Sequence, residues 1–139
     1  LYAGSGNLTL TLAKRAGRVV AVEENRAAME RLVKVCVEQR LSHVECVAGT
    51  AEWGLKKMYR RQFPIDVLIL DPPRAGAKDL LDLILVMKPR SVVYVSCDPT
   101  TLARDIKGLA RGYRLNKVRP IDMFPQTYHI ESVSELVRI

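Results

Sequence analysis

Strand-like and helix-like patterns alternate along this chain from end to end, and no other feature limits its fold so sharply. Residues 18–23, 44–48, 65–70 and 91–95 are short runs dominated by valine, leucine and isoleucine. Helical spacing fills the segments between and around them, over residues 7–15, 25–40, 78–87 and 99–110, with a further helix opened by Thr50 that carries Trp53 and Leu55. A strand, a helix and a second strand in succession imply a crossover, so neighbouring strands run parallel and helices cover the sheet. The run 65–70 is apolar except at Asp66, as suits a strand covered on both faces. Residues 113–118 and 133–139 read as a closing pair of strands. The expected fold is α/β: a doubly wound, mostly parallel Rossmann-like sheet with an antiparallel closing strand, in one domain over residues 1–139.

Local signals agree with that outline. Asn25 is suited to cap the second helix, Asp98-Pro99 opens the last one, and Gly112 is expected to end it as a C-cap. Leu1-Tyr2-Ala3 reads as the last stub of a strand that enters a glycine loop, so the chain is expected to be a fragment cut just inside a larger cofactor domain. A length of 139 residues supports a single real core. No apolar stretch is long enough to span a bilayer, and no signal-peptide pattern opens the chain. The net charge of +7 favours a polyanionic partner, although a solvated basic surface has the same composition. Three cysteines without CxxC spacing, and no clustered histidines, point to neither a disulfide framework nor a metal site. Cys36 and Cys46 fall within helical and strand patterns and read as inert core thiols.

Chemistry in an open α/β sheet gathers at the carboxyl ends of the strands, and three segments stand there. Gly4-Ser5-Gly6-Asn7 lies between a strand and a helix, where glycines let backbone amides approach a ligand. Glu23, about 20 residues on at the next strand end, suits a ribose diol. Thr9 occupies the third glycine position of the dinucleotide pattern, which favours a ligand with one ribose, such as S-adenosylmethionine, over a pyrophosphate. Asp71-Pro72-Pro73 ends the apolar run in a rigid turn fit to hold a planar base. Cys97 ends the next strand.

Four segments in order, Leu1-Tyr2-Ala3-Gly4-Ser5-Gly6-Asn7, Asp71-Pro72-Pro73-Arg74-Ala75-Gly76, Ser96-Cys97-Asp98-Pro99-Thr100-Thr101-Leu102-Ala103-Arg104-Asp105 and Asp122-Met123-Phe124-Pro125-Gln126-Thr127-Tyr128-His129-Ile130-Glu131, resemble the signatures of the RNA uracil-5-methyltransferase family. The resemblance covers essentially the whole chain. It implies a cytoplasmic enzyme that uses S-adenosylmethionine to make 5-methyluridine in transfer or ribosomal RNA, with no metal and no membrane. It matches Cys97 to the nucleophile, Glu131 to the general base and Asp71 to an acidic residue beside donor and base. Tyr2, Gly4, Gly6, Asn7, Glu23 and Asp71 match donor-binding positions. Thr50 stands where the family commonly has aspartate, and a donor-binding glutamine that the family places upstream would precede Leu1.

The chemistry implied needs few groups. Carbon 5 of uracil is a poor nucleophile until a thiolate adds to carbon 6, and a base must then remove the carbon 5 proton so that the thiolate can leave. The amino end of the helix opened by Pro99 favours a thiolate, Asp98 opposes it, and Arg104 would assist only if turned back toward the thiol. His129 is a second candidate base. Phe124 and Tyr128 are candidates for stacking on a base. Arg60, Arg61, Arg111, Arg114, Lys117 and Arg119 are candidate phosphate contacts, or simply a solvated face. Three other functions compete: cytosine-5 methylation of RNA, methylation of an adenine amino group at the Asp-Pro-Pro turn, and a non-catalytic donor- or RNA-binding module.

Overall fold

Valine-rich runs become strands and the amphipathic stretches become helices, giving six strands and five α-helices among the described residues of the computed structural model, which are 1–122, 126 and 130–139. They divide into two units, Leu1–Met58 and Tyr59–Ile139.

The first unit holds α1 (Asn7–Ala13), β1 (Val19–Glu23), α2 (Arg26–Glu38) and β2 (Val44–Ala48), and α3 (Ala51–Arg60) follows. β1 and β2 are parallel, with Val19 beside Val44 and Glu23 beside Ala48. The Asn25 side chain accepts from the Ala28 amide at 2.9 Å and starts α2 as expected. Ala28, Met29, Leu32 and Cys36 form its buried stripe. Leu32 has no exposed surface, and burying a side chain of this size contributes about 1.5–3 kcal/mol. Ala21, Met29, Leu32 and Cys36 make the core cluster, with Ala3, Leu10, Leu41, Val44 and Cys46 packed against it. Burial pushes the Cys46 thiol up to about 11, aided by the neighbouring Cys36, so Cys46 stays a neutral thiol at physiological pH. Gly54 lets α3 approach β1: a Cβ there would lie 2.6 Å from Val22 Cγ1.

The second unit holds β3 (Val67–Leu70), α4 (Leu81–Met87), β4 (Ser91–Ser96), α5 (Pro99–Leu109), β5 (Tyr113–Ile121) and β6 (Glu131–Arg138). Its sheet order is β3-β4-β6-β5. β3 and β4 are parallel, and β6 runs antiparallel to both β4 and β5. Cross-strand pairs share a face. One face therefore carries Leu68, Leu70, Val92, Tyr94, Ser96, Ser132, Ser134 and Leu136, all buried. The other carries Ile69, Val93, Val95, Val133, Glu135 and Val137, which are half-buried.

Three sequence expectations are corrected. Residues 1–3 are not a strand: Tyr2 has φ 59, outside the extended region, and the Ala3 amide makes a single bond to the Val22 carbonyl at 3.0 Å. The helix expected over 78–87 begins as a 3-10 turn, Lys78–Leu80, before α4. Gly112 is not a left-handed C-cap, since α5 is capped by Ala110 in a right-handed conformation. Gly112 serves close approach instead, because a Cβ there would lie 2.9 Å from Leu85 Cδ2.

Candidate active site

In the first unit the loop after residue 3 is shaped by two left-handed glycines, Gly4 at φ 54 and Gly6 at φ 99. The Gly6 amide donates to the Ala3 carbonyl at 2.9 Å, and a Cβ on Gly6 would overlap Leu32. Only glycine satisfies both demands there. Around Gly4 there is open space. Glu23, at the end of β1, accepts from the Gly4 amide at 2.8 Å through one carboxylate oxygen and from the Asn25 amide at 2.7 Å through the other. The carboxylate thus ties the glycine loop to the turn that opens α2. Each oxygen keeps a further lone pair, so the carboxylate can still accept two hydroxyl groups. Tyr2 is half-buried and Asn7 is the exposed first residue of α1. Arg31 donates to the Ser5 hydroxyl at 3.1 Å.

In the second unit three candidates come to the same end of one sheet. Ser96 and Ser132 are the last pair between β4 and β6. Cys97 is the first residue past β4 and Glu131 the first residue of β6, each one residue beyond that pair. Leu70 is level with Tyr94 across β3 and β4, and Asp71, which is exposed, is the first residue past β3 at this end. Cys97 and Glu131 are themselves half-buried. Partial desolvation holds the Asp71 carboxyl above the usual carboxylate range. Asp98 caps α5 by accepting from the Thr101 amide at 2.8 Å, with Pro99 at the first turn. The backbone bond from Thr101 holds the Asp98 carboxyl below its usual range.

A buried network holds this end of the sheet together. Asp105 of α5 has no exposed surface. It accepts from the Tyr94 hydroxyl at 2.7 Å, the Ala77 amide at 2.7 Å and Arg104 Nε at 2.9 Å. Arg104 also donates to the Ala75 carbonyl at 2.8 Å, and the Thr101 hydroxyl donates to the Arg74 carbonyl at 2.9 Å. The turn that carries Asp71-Pro72-Pro73 is therefore pinned to the helix that follows Cys97. Gly76, at φ 80, is required inside it: a Cβ would lie 2.5 Å from Asp105 Oδ2.

Sequence reasoning quoted Asp105 only within a signature and missed this role. The signal was present, since Asp105 lies between Leu102 and Leu109 on the buried stripe of α5, where a charge needs partners. Arg104 is directed to Asp105 and Ala75, which is its role in this network. Arg111 is ion-paired with Asp82 at 2.7 Å. Arg61 lies over the Phe63 ring, 5.9 Å from its centroid. Phe124, Tyr128 and His129 lie outside the described residues.

Comparison with known proteins agrees with the motifs. A model of the tRNA (uracil-5-)-methyltransferase family matches residues 1–139. An uncharacterized RNA methyltransferase of Caldanaerobacter subterraneus subsp. tengcongensis is 40% identical over 141 residues, covering 100% of this chain and 31% of its own. Another from Listeria innocua is 44% identical over 137 residues, covering 97% of this chain and 30% of its own. The chain thus spans about a third of the length of these curated relatives. The crystal structure of Pyrococcus abyssi tRNA (uracil-54, C5)-methyltransferase with S-adenosyl-L-homocysteine superposes with a TM-score of 0.79 at 35% identity, over 98% of this chain and 33% of that one. An rRNA methylase from Streptococcus thermophilus gives a TM-score of 0.75 at 15% identity, over 99% of this chain and 82% of its own, a likeness of fold alone. The fold class is Rossmann-like α/β, as expected.

Proposed function

The chain belongs to the tRNA (uracil-5-)-methyltransferase family, and from that premise we propose that it transfers a methyl group from S-adenosylmethionine to carbon 5 of a uridine in cytoplasmic transfer or ribosomal RNA. Bound S-adenosylmethionine supplies an electrophilic methyl on its sulfonium. Glu23 accepts the ribose hydroxyls of the donor, and the Gly4–Gly6 loop gives its tail room, flanked by Tyr2 and Asn7. Asp71, at the end of β3, is the acidic residue assigned to the target base.

The Cys97 thiolate adds to carbon 6 of the uracil, and the ring electrons move to carbon 5 and the neighbouring carbonyl oxygen. Carbon 5 then takes the methyl, and the sulfonium leaves as a neutral thioether. Glu131 removes the carbon 5 proton, the carbon 6–sulfur bond breaks, and the ring double bond and the thiolate are restored. The uridine must be splayed out of any stack to meet the thiol.

The observation that supports this reading is that Cys97 and Glu131 follow the last β4–β6 pair, Ser96 and Ser132, at one end of the sheet. A thiol and a carboxylate at one end of a sheet can act on the adjacent carbons 6 and 5 of one ring. The test is product identity. Unmodified transfer and ribosomal RNA transcripts are incubated with the protein and isotopically labelled donor, then digested to nucleosides. Label in 5-methyluridine supports the reading; label in 5-methylcytidine or a methylated adenosine overturns it.

A further inference from the structure

Resting on the reading that the substrate is RNA, we propose that β5 is a phosphate-binding edge, where Arg114, Lys117 and Arg119 hold the RNA backbone that leads to the reacting uridine. β5 is the edge strand of its sheet, and every residue from Arg114 to Ile121 is exposed. Strict alternation would turn Arg114 away from Lys117 and Arg119. It does not, because a bulge between Leu115 and Lys117 absorbs Asn116. Pairing then runs Arg114 with Val137, Lys117 with Glu135, Arg119 with Val133 and Ile121 with Glu131. All three cations therefore share the face that carries Glu131, in a row that ends beside it.

The row forms no ion pair. The side chains of Arg114, Lys117 and Arg119 have no ion-pair or hydrogen-bond partner among the described residues. Glu135, which faces Lys117, instead accepts from the bulged Asn116 side chain at 2.7 Å. Arg111 just before the strand is neutralised by Asp82 and is not part of the row.

The spacing suits a linear polyanion. Because the bulge absorbs Asn116, both steps span two residues of β6, and at about 3.3 Å per residue the cations lie roughly 7 Å apart along the strand. Leu115 and Val118, paired with Leu136 and Ser134, lie on the opposite face, while exposed Ile121 and half-buried Val133 and Val137 share the face of the cations. A purely protective role, charges that blunt a sheet edge against self-association, is the competing explanation.

The test compares the protein with R114Q/K117Q/R119Q and with a control that removes equal charge elsewhere, K14Q/R15Q/K34Q. The RNA affinity of each is measured across salt concentrations with an unmodified transfer RNA transcript, alongside donor affinity and methylation kinetics. Each cation withdrawn from a phosphate lowers the slope of log affinity against log salt by about 1. The row variant is expected to reduce the slope by about 2–3, at about 1 per cation, and to raise KM for RNA. Its kcat at saturating RNA and its donor affinity are expected to stay at the wild-type values. K117Q and R119Q singly are expected to reduce it by about 1 each, which covers a triple variant that folds poorly. Wild-type slopes in the row variants, an equal reduction in the control, or a change only in self-association would overturn the proposal while RNA methylation by the wild type stands. A wild-type protein that binds the donor but no RNA would overturn both readings.

Discussion

Replacing Asp105 with alanine removes the carboxylate that accepts from two buried donors. The Tyr94 hydroxyl and the Ala77 amide both lose a 2.7 Å bond in a region without water access, as Tyr94 has no exposed surface and Ala77 is 2% exposed. Each buried donor left unsatisfied costs about 1–3 kcal/mol. Arg104 loses its 2.8 Å ion pair, but its side chain is 43% exposed and returns to water at little cost. Together the loss is about 3–5 kcal/mol, the range for breaking a buried charge-assisted pair. Tyr94→Phe removes a single donor to a carboxylate that keeps its others, so it costs less, about 1.5–3 kcal/mol. Urea denaturation followed by Trp53 fluorescence reads both. With a slope near 2 kcal/mol/M, Asp105→Ala lowers the midpoint by about 1.5–2.5 M. A loss below about 1 kcal/mol, or a greater loss in Tyr94→Phe than in Asp105→Ala, would refute the reasoning. Because the network pins the Asp71 turn to α5, the folded Asp105→Ala protein should also lose more methyl transfer than donor affinity.

Asp71→Asn should make the protein more stable at pH 7 and less active. Partial desolvation raises the Asp71 pKa in the folded state, so its charged form is disfavoured by folding at neutral pH; that penalty shrinks as pH falls through the raised value and is gone below the unfolded carboxylate range, and the variant's advantage in thermal melts should fade with it. Glu23→Gln should weaken donor binding about 10–100-fold by calorimetry, since one of the Gly4 and Asn25 amides then faces an amide nitrogen and a charge-assisted bond of about 1.5–3 kcal/mol is lost; wild-type affinity would remove Glu23 from the donor site. Glu131→Gln should bind RNA and donor but stall as a methylated covalent adduct visible in denaturing gels. Normal turnover in that variant would pass the role to another group, with His129 next in line.

Much of the frame was legible because it is local. Period and turn chemistry located β1, β2, β4 and α5 closely, and the Asn25 and Asp98 caps follow from side chains that bond their own backbone neighbours. What was not legible depends on long-range pairing. β6 lies between β4 and β5, so the partner of β4 is a strand that comes after its own edge neighbour in the chain. That order brings the end of β4 before Cys97 and the start of β6 at Glu131 to one end of the sheet, and no spacing along the sequence encodes it. The Asn116 bulge is likewise decided by which residues of β6 it meets. Gly112 was misread because glycine serves two purposes, left-handed turns and close packing, and only the approach of Leu85 separates them.

The covalent role of Cys97 is tested most directly with RNA carrying 5-fluorouridine, whose carbon 5 has no proton to lose. After methyl transfer, release from the thiol is blocked, so the protein should accumulate as an RNA adduct that survives denaturation and depends on S-adenosylmethionine. Peptide mass analysis should locate the modified uracil on Cys97, and Cys97→Ala should form no adduct. An adduct of equal yield in Cys97→Ala, or one mapped to Cys36 or Cys46, would contradict the assignment of the nucleophile.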